Sequence, residues 1–393
     1  MEVKIIDFDD LGNGITRINE KVSFVKRGIK GEVVDIEILN EKKNYSNSII
    51  KNIIVKSPNR INPICPFYDN CGGCQFLHLK EECEKEFKIN KAKKFFSKCD
   101  NFYETTNLNY RNKVKLHVKN GNIGYFQEKS NDLVSISNCY LLNNNINEVI
   151  KILSNYFDPN FNGLVTIREN NQGEIILAID GNYKYINNLK EYDLITNLIY
   201  NTKVIKGNSY FIESIFDYKF KVSYNSFFQV NRLGLEKIYG ILTNFLKDKN
   251  INTSLDLYSG TSVLGIHLSK YSKKVISVEV NSSATNDALD NLSLNNIKNL
   301  EVINDKVENV IDKFNLIDLV IIDPARSGLD KKTIENLKRI NSKYLIYIDC
   351  SMDSLKRDLS YLCDTYKLDN LYLVDMFPRT NNVEIVAILS LKD

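Results

Sequence analysis

Three cysteines in one short stretch, CPFYDNCGGCQF, and a lone cysteine closing an apolar run, LIYIDCSMD, are the residues whose types and spacing most invite chemistry. Cys65, Cys71 and Cys74 follow a C-x5-C-x2-C spacing, and Gly72 and Gly73 let backbone amides approach a ligand closely. Thiolates gathered this way want a metal, and zinc and an iron-sulfur cluster both accept sulfur ligation. Cys139, in DLVSISNCYLL, is the best candidate for a fourth ligand, because it follows a strand-like run and has no other evident role. Cys350 poses a different question. An unpaired cysteine can be ordinary core. This one, however, sits where a buried strand over 345–349 gives way to a turn before a helix, and strand ends of open α/β sheets are where reactive side chains meet ligands.

Carboxylates form a second set. SLDLYSG, KVISVEV, LEVIND, LVIIDP, YLIYIDC, LYLVDMF and VEIVAIL are apolar runs separated by helical segments, an alternation that predicts a parallel doubly wound sheet. Asp256 precedes the turn YSGTSVLG, which carries Tyr258 and Gly260. Glu279 ends the next strand, a position from which an acid accepts hydrogen bonds from ribose hydroxyls. Asp305 ends the third strand and Asp323 the fourth. One such acid is a commonplace cap; four in register favour a pocket for a nucleoside-type cofactor. No GxxxxGK[ST] loop and no full GxGxxG occur, which disfavours a nucleoside triphosphate and a dinucleotide.

The elements ahead of this sheet must position its substrate. Residues 3–57 alternate and turn as a five-stranded barrel, with Lys26, Arg27, Lys30, Lys42, Lys43 and Lys51 near its turns, either as a solvated surface or as an oligonucleotide-binding barrel would place them. The run 81–98, charged and free of proline and glycine, predicts a helix with a solvated face. YRNKVKLHVKNGNIGYFQ predicts a basic hairpin about Gly121, and 149–222 a mixed α+β unit. FFQVNRLGLEKIYGILTNFL opens an amphipathic helix with Leu235, Ile238, Ile241, Leu242 and Phe245 on its apolar side. The 393 residues carry a net charge of only +3, short of a nucleic-acid coat, and no apolar run suits a membrane span or leader. A cytoplasmic protein with no membrane partner is expected, so its eight cysteines are not read as disulfides.

Taken together, Cys65, Cys71, Cys74, Cys139, FFQVN, IIDPARSG, IDCSMDSLKRD and DMFPRTNNVE resemble the motifs of the S-adenosylmethionine-dependent RNA 5-methyluridine methyltransferases. More narrowly, the chain is similar to the iron-sulfur subgroup that modifies 23S ribosomal RNA. The resemblance implies three domains: a TRAM-type OB-like β-barrel (1–57), an α+β RNA-binding domain with the cluster (58–228, of which 81–106 packs with the catalytic part), and a Rossmann-like methyltransferase domain (229–393). It implies a [4Fe-4S] cluster on Cys65, Cys71, Cys74 and Cys139, Cys350 as nucleophile and Glu384 as base. Gln229, Gly260, Glu279 and Asp323 match cofactor-contacting positions, and Asp256, Tyr258 and Asp305 complete the expected S-adenosylmethionine site. RNA, not DNA, is the implied partner and a monomer the implied form.

Uracil C5 is a weak nucleophile, and addition of a thiolate at C6 makes it able to accept a methyl group. A base must then remove the C5 proton, and the uridine must leave its stack for both faces to be reached. Several neighbours depart from the family's pattern. Asp349, Ser351 and Met352 surround Cys350 in place of the usual Ser-Cys-Asn-Pro, Ser262 replaces a glycine, Ala325 a proline, and Arg379 and Asn382 histidines. An acid beside a thiol is expected to raise its pKa. A transfer-RNA enzyme and an RNA-binding relative with weak or no catalysis are the alternatives.

Overall fold

Alternating apolar residues at the N-terminus build a six-stranded sheet from β1 (Glu2–Lys4), β2 (Asp7–Phe8), β3 (Gly14–Ile18), β4 (Lys21–Lys26), β5 (Val33–Glu41) and β6 (Tyr45–Val55). The computed structural model describes residues 1–128 and 130–392. The sheet order is β1-β5-β6-β4-β3-β2, around a core of Ile5, Val25, Val34 and Ile36. This corrects the five-stranded closed barrel: among the described residues the edge strands β1 and β2 make no ladder with each other. The first run breaks at Ile5 and Ile6, whose N–H groups bond Glu32 O and Ile15 O at 2.8 Å each. Several of the basic residues near the turns are ion-paired here, Lys26 with Glu128, Lys30 with Asp7, Lys51 with Glu37 and Arg27 with Asp69.

Helix α1 (Glu81–Phe96) begins with three acids in its first turn, matched to the helix dipole. Its face is not wholly solvated as its composition predicts, because Glu84 and Lys88 are buried. Lys88 Nζ donates to Glu84 Oε1 at 2.7 Å, and the buried Arg379 donates through its backbone N–H and Nη1 to the same carboxylate at 2.7 and 3.1 Å. Charges that satisfy one another in this way can be taken out of water. These elements belong to one compact unit of Met1–Lys94, Phe126–Asn131 and Arg379–Asn381.

The second unit comprises Phe95–Tyr125, Asp132–Pro378 and Asn382–Asp393. After β7 (Asn101–Tyr103) come β8 (Lys113–Lys119), β9 (Asn122–Phe126), β10 (Leu133–Ser135), α2 (Asn144–Asn155), β11 (Gly163–Glu169), β12 (Ile175–Gly181), α3 (Ile186–Leu189), β13 (Asn197–Tyr200) and β14 (Lys203–Lys206). Strands β8 to β14 form a seven-stranded sheet in the order β10-β9-β8-β11-β12-β13-β14, and the expected hairpin about Gly121 joins β8 to β9. Strands β15 (Tyr210–Ile215) and β16 (Tyr218–Ser223) pair with each other.

From here strands and helices alternate: α4 (Arg232–Leu246), β17 (Ile251–Leu257), α5 (Val263–Leu268), β18 (Ser272–Glu279), α6 (Ser282–Leu294), β19 (Leu300–Asn304), α7 (Val307–Val310), β20 (Leu319–Ile322), α8 (Lys331–Ile340), β21 (Tyr344–Asp349), α9 (Met352–Leu362), β22 (Tyr366–Val374) and β23 (Glu384–Leu391). The sheet order is β19-β18-β17-β20-β21-β23-β22-β7. Strands β17 to β21 run parallel, as alternation with helices requires. Strand β23 departs from the all-parallel expectation. It runs antiparallel to both β21 and β22, because the chain returns from β22 without a crossover helix. Buried Leu319, Ile321, Ile346, Ile348, Val386 and Ile388 pack with the apolar face of α4. No helix among the described residues is long and apolar enough to cross a membrane.

Candidate active site

The carboxyl ends of β17, β18, β20 and β21 open onto a cavity of about 790 Å³, whose wall includes Gln229, Tyr258, Gly260, Glu279, Asp323, Cys350 and Glu384. Its volume lies within the usual range for small-molecule sites, roughly 300–1,000 Å³. The turn after β17 shapes one side. Tyr258, Gly260 and Ser262 all have left-handed backbones, with φ of 60°, 54° and 58°. At Gly260 this costs nothing, whereas a serine where the family keeps glycine holds strain of roughly 1 kcal/mol. Glu279, at the end of β18, accepts from Gly260 N at 2.9 Å and Asn281 N at 2.7 Å, which fixes its carboxylate against the turn. Asp256 Oδ1, Ser259 Oγ, Thr261 Oγ1 and Ser262 Oγ are buried without a hydrogen-bond partner among the described residues. Ser259 and Thr261 also line the cavity, so this side is equipped for a polar ligand.

Cys350 follows β21, half-buried, in front of α9. The antiparallel register that sets Asp349 opposite Ile385 makes Cys350 and Glu384 the next pair in line across β21 and β23. Asp349 is fully buried and faces the helix start: Oδ1 accepts from Ser351 N at 2.7 Å and Oδ2 from Ser354 Oγ at 2.8 Å. Ser351 serves as N-cap of α9, which gives two of the residues that depart from the family's motif a local structural role.

The electrostatics are those of crowded, buried acids. Burial pushes the Cys350 thiol up to about 11; the Glu384 charge adds to the rise, Arg326 opposes it by charge and hydrogen bond, and Asp349 contributes least. Burial, then Asp323 and Asp349, hold the Glu384 carboxyl well above the carboxylate range. Asp323 is raised by burial and by Asp349, and Asp349 to about 6, chiefly by burial. Asp256 rises to about 7 through burial, against hydrogen bonds from Ser277 and Gly265.

Two expected cofactor residues lie outside the wall. Asp256 is fully buried behind the turn, accepting from Ser277 Oγ at 3.1 Å, and Asp305 accepts from Lys306 N and Asn309 Nδ2 at 2.7 Å each. Conversely, Arg111, Phe227 and Arg326 line the cavity without having been singled out for it. Arg326 sits inside the IIDPARSG motif, which was the available signal, but a single exposed arginine in a loop does not declare its target.

Cys65, Cys71 and Cys74 lie in the first unit and Cys139 in the second. Gly73 N donates to Cys71 Sγ at 3.4 Å, and the backbone of Cys139 is pinned by Asn147, whose Oδ1 accepts from Cys139 N at 2.8 Å. Among the described residues no three His, Cys, Asp or Glu side chains form a group that could hold a metal ion, so their arrangement gives the expected sulfur site no support.

The family profile described as tRNA (Uracil-5-)-methyltransferase matches residues 187–392. Proteins of Caldanaerobacter subterraneus subsp. tengcongensis and Clostridium acetobutylicum, each described as an uncharacterized RNA methyltransferase, are 32% and 29% identical to the chain. The alignments cover 99% and 100% of this chain and 97% of each relative. The crystal structure of the Pyrococcus abyssi tRNA (uracil-54, C5)-methyltransferase in complex with S-adenosyl-L-homocysteine matches with a TM-score of 0.83 at 22% identity, covering 99% of this chain and 100% of that one. That likeness is one of fold.

Proposed function

The chain belongs to the tRNA (uracil-5-)-methyltransferase family of S-adenosylmethionine-dependent RNA methyltransferases, and from the resemblance of its cysteine pattern we propose that it methylates C5 of a uridine in 23S ribosomal RNA. The observation that carries the chemical part of the reading is the presence of a thiol, a buried carboxyl and a polar glycine turn in the wall of one cavity.

In this proposal Gln229, Tyr258, Gly260, Glu279 and Asp323 hold the cofactor, while Asp256 and Asp305 brace the turns behind it. The orphaned hydroxyls of Ser259 and Thr261 fit a ligand rich in hydroxyl and amino groups, and the raised acids Asp323 and Glu384 favour a cationic one. Bound there, S-adenosylmethionine supplies an electrophilic methyl group next to a positive sulfur. The Cys350 thiolate adds to C6 of the uracil, which moves electron density to C5. Arg326 stabilises that thiolate. Once C5 has been methylated, Glu384 takes the C5 proton, the C–S bond to Cys350 breaks and the C5–C6 double bond returns. A carboxyl raised by burial is a stronger base than an exposed one, which suits this step.

We also propose residues 1–57 and 58–228 as the RNA-holding domains and 229–393 as the catalytic domain, in a cytoplasmic monomer. Arg111 and Lys115 would contact phosphate. The ribosomal target and a [4Fe-4S] cluster on Cys65, Cys71, Cys74 and Cys139 are supported by cysteine spacing and by resemblance; the arrangement of the described side chains does not support the cluster, and no step passes through it. Transfer RNA is the second reading, favoured by the description of the family and by the activity named for the Pyrococcus abyssi protein. Mapping 5-methyluridine across ribosomal and transfer RNA in a deletion strain tests the proposal. Loss at a 23S position supports it, loss in transfer RNA replaces the target, and unchanged RNA of both kinds refutes the function.

A further inference from the structure

A second chamber, of about 480 Å³, is lined by Asn112, Glu169, Asn170, Glu213, Asn231 and Arg232 among others, and the chemistry above does not use it. The first five of these side chains are all more than nine-tenths buried. Asn170 donates to Glu174 Oε2 and Ile212 O and accepts from Gln172 N and Glu174 N. Asn231 donates to Thr105 Oγ1 and Met376 O and accepts from Gly234 N. Two atoms remain: Asn112 Oδ1 and Glu169 Oε2 are buried without a partner among the described residues. Both are acceptors. The rest of each group is held, Asn112 Nδ2 donating to Gln229 O at 3.3 Å and Glu169 Oε1 accepting from Asn145 Nδ2 at 2.7 Å, while burial raises the Glu169 carboxyl and the Asn143 side chain also hydrogen-bonds it.

The two residues are also neighbours, since Glu169 N donates to Asn112 O at 2.9 Å. Buried acceptors without donors are costly, so the chamber is complementary to a ligand that presents two N–H groups along one edge. Its position relative to the first cavity is fixed by the chain. Arg111 and Gln229 line the Cys350 cavity, Arg111 bridges to Asn231, and Gln229 O receives the Asn112 amide. A ligand in one chamber is therefore separated from the other by this single stretch of wall.

Resting on the uridine-methylation reading, we propose that this chamber receives a base flanking the target uridine and that the base is guanine. Guanine offers N1–H and the N2 amino group side by side. Uracil presents one N–H between two carbonyls, and adenine and cytosine set a single amino group beside a ring-nitrogen acceptor. Splayed, single-stranded bases are read along this edge in RNA recognition.

The test uses full-length protein saturated with S-adenosylhomocysteine, titrated by calorimetry with GMP, IMP, AMP, CMP and UMP. IMP differs from GMP only in lacking the N2 amino group. GMP should bind about tenfold more tightly than each of the others, and Glu169→Gln should abolish that advantage without changing S-adenosylhomocysteine affinity. Equal binding of GMP and IMP, a preference for AMP, CMP or UMP, or an undiminished GMP preference in Glu169→Gln overturns the assignment. The GMP and IMP comparison needs no variant, so a poorly folded Glu169→Gln protein does not remove the test. Protein that methylates RNA but shows no GMP preference refutes the chamber alone; protein with the preference that methylates no RNA refutes the methyltransferase reading alone.

Discussion

Cys350 should be a weak nucleophile in the unliganded protein, tuned in opposite directions by two side chains. Its pKa of about 11 arises first from burial and then from Glu384, with Arg326 pulling it down. At pH 8 a gap of about three units leaves roughly one thiol in a thousand ionised. Arg326→Ala removes a favourable charge and hydrogen bond. With an interaction of about 1 kcal/mol in this partly solvated setting, the thiolate fraction should fall about fivefold. Glu384→Gln removes an opposing charge wherever that raised carboxyl is ionised and should raise the thiolate fraction toward the upper end of the pH range. Alkylation of Cys350 by iodoacetamide, followed by mass spectrometry of its peptide from pH 6 to 10, reads the thiolate directly, and the exposed Cys363 provides an internal comparison. The rate should climb about tenfold per pH unit across most of the range, slower in Arg326→Ala and faster in Glu384→Gln. A plateau near pH 8.5, or effects of the two substitutions opposite to these, would refute the account of the thiol's environment.

Other consequences concern stability, cofactor and metal. Asp256 titrates near 7 in the fold against an ordinary 3.8, so between about pH 4 and 7 the native state binds more protons than the unfolded chain and stability falls as pH rises. Asp256→Asn should remove on the order of 4 kcal/mol of that fall, read by urea unfolding at successive pH values; an unchanged slope contradicts the burial argument. Glu84→Ala strands Lys88 and Arg379 in the interior and should cost about 3–5 kcal/mol, whereas a loss below about 1 kcal/mol shows that water reaches the site. Glu279→Ala should weaken S-adenosylhomocysteine binding about tenfold or more in calorimetry, and wild-type affinity would remove Glu279 from the cofactor site. The cluster proposal predicts brown protein with about four irons per chain after anaerobic purification; colourless protein holding one zinc rejects it.

The parallel part of the catalytic sheet was readable because β17 to β21 are apolar runs spaced by helices, and that period survives in sequence. The direction of β23 was not, since VEIVAIL reads alike in either sense and only the missing crossover helix sets it. Nor was β7, three residues whose pairing with β22 depends on a partner remote in sequence. The break at Ile5 and Ile6 that divides the first run into β1 and β2 depends on backbone hydrogen bonds that apolar alternation cannot report. At the site, Cys350, Glu384 and Glu279 sit in motifs whose spacing reflects strand ends. Asp256 and Asp305 occupy strand ends too, yet a strand end does not say whether its acid turns into the cavity or braces a neighbouring turn. Arg326 and the Asn112–Glu169 pair depend on contacts across elements, which no local pattern encodes. The charged stretch around Glu84 misled for the same reason: its partner Arg379 comes from near the end of the chain.

Uracil carrying fluorine at C5 can be attacked and methylated but has no C5 proton for a base to remove, so a thiolate that has added at C6 stays attached. Incubating the protein with S-adenosylmethionine and 5-fluorouridine-substituted ribosomal RNA should give a covalent protein–RNA adduct, mapped by mass spectrometry to Cys350 and absent from Cys350→Ala. Formation of the same adduct by Cys350→Ala would contradict the central claim.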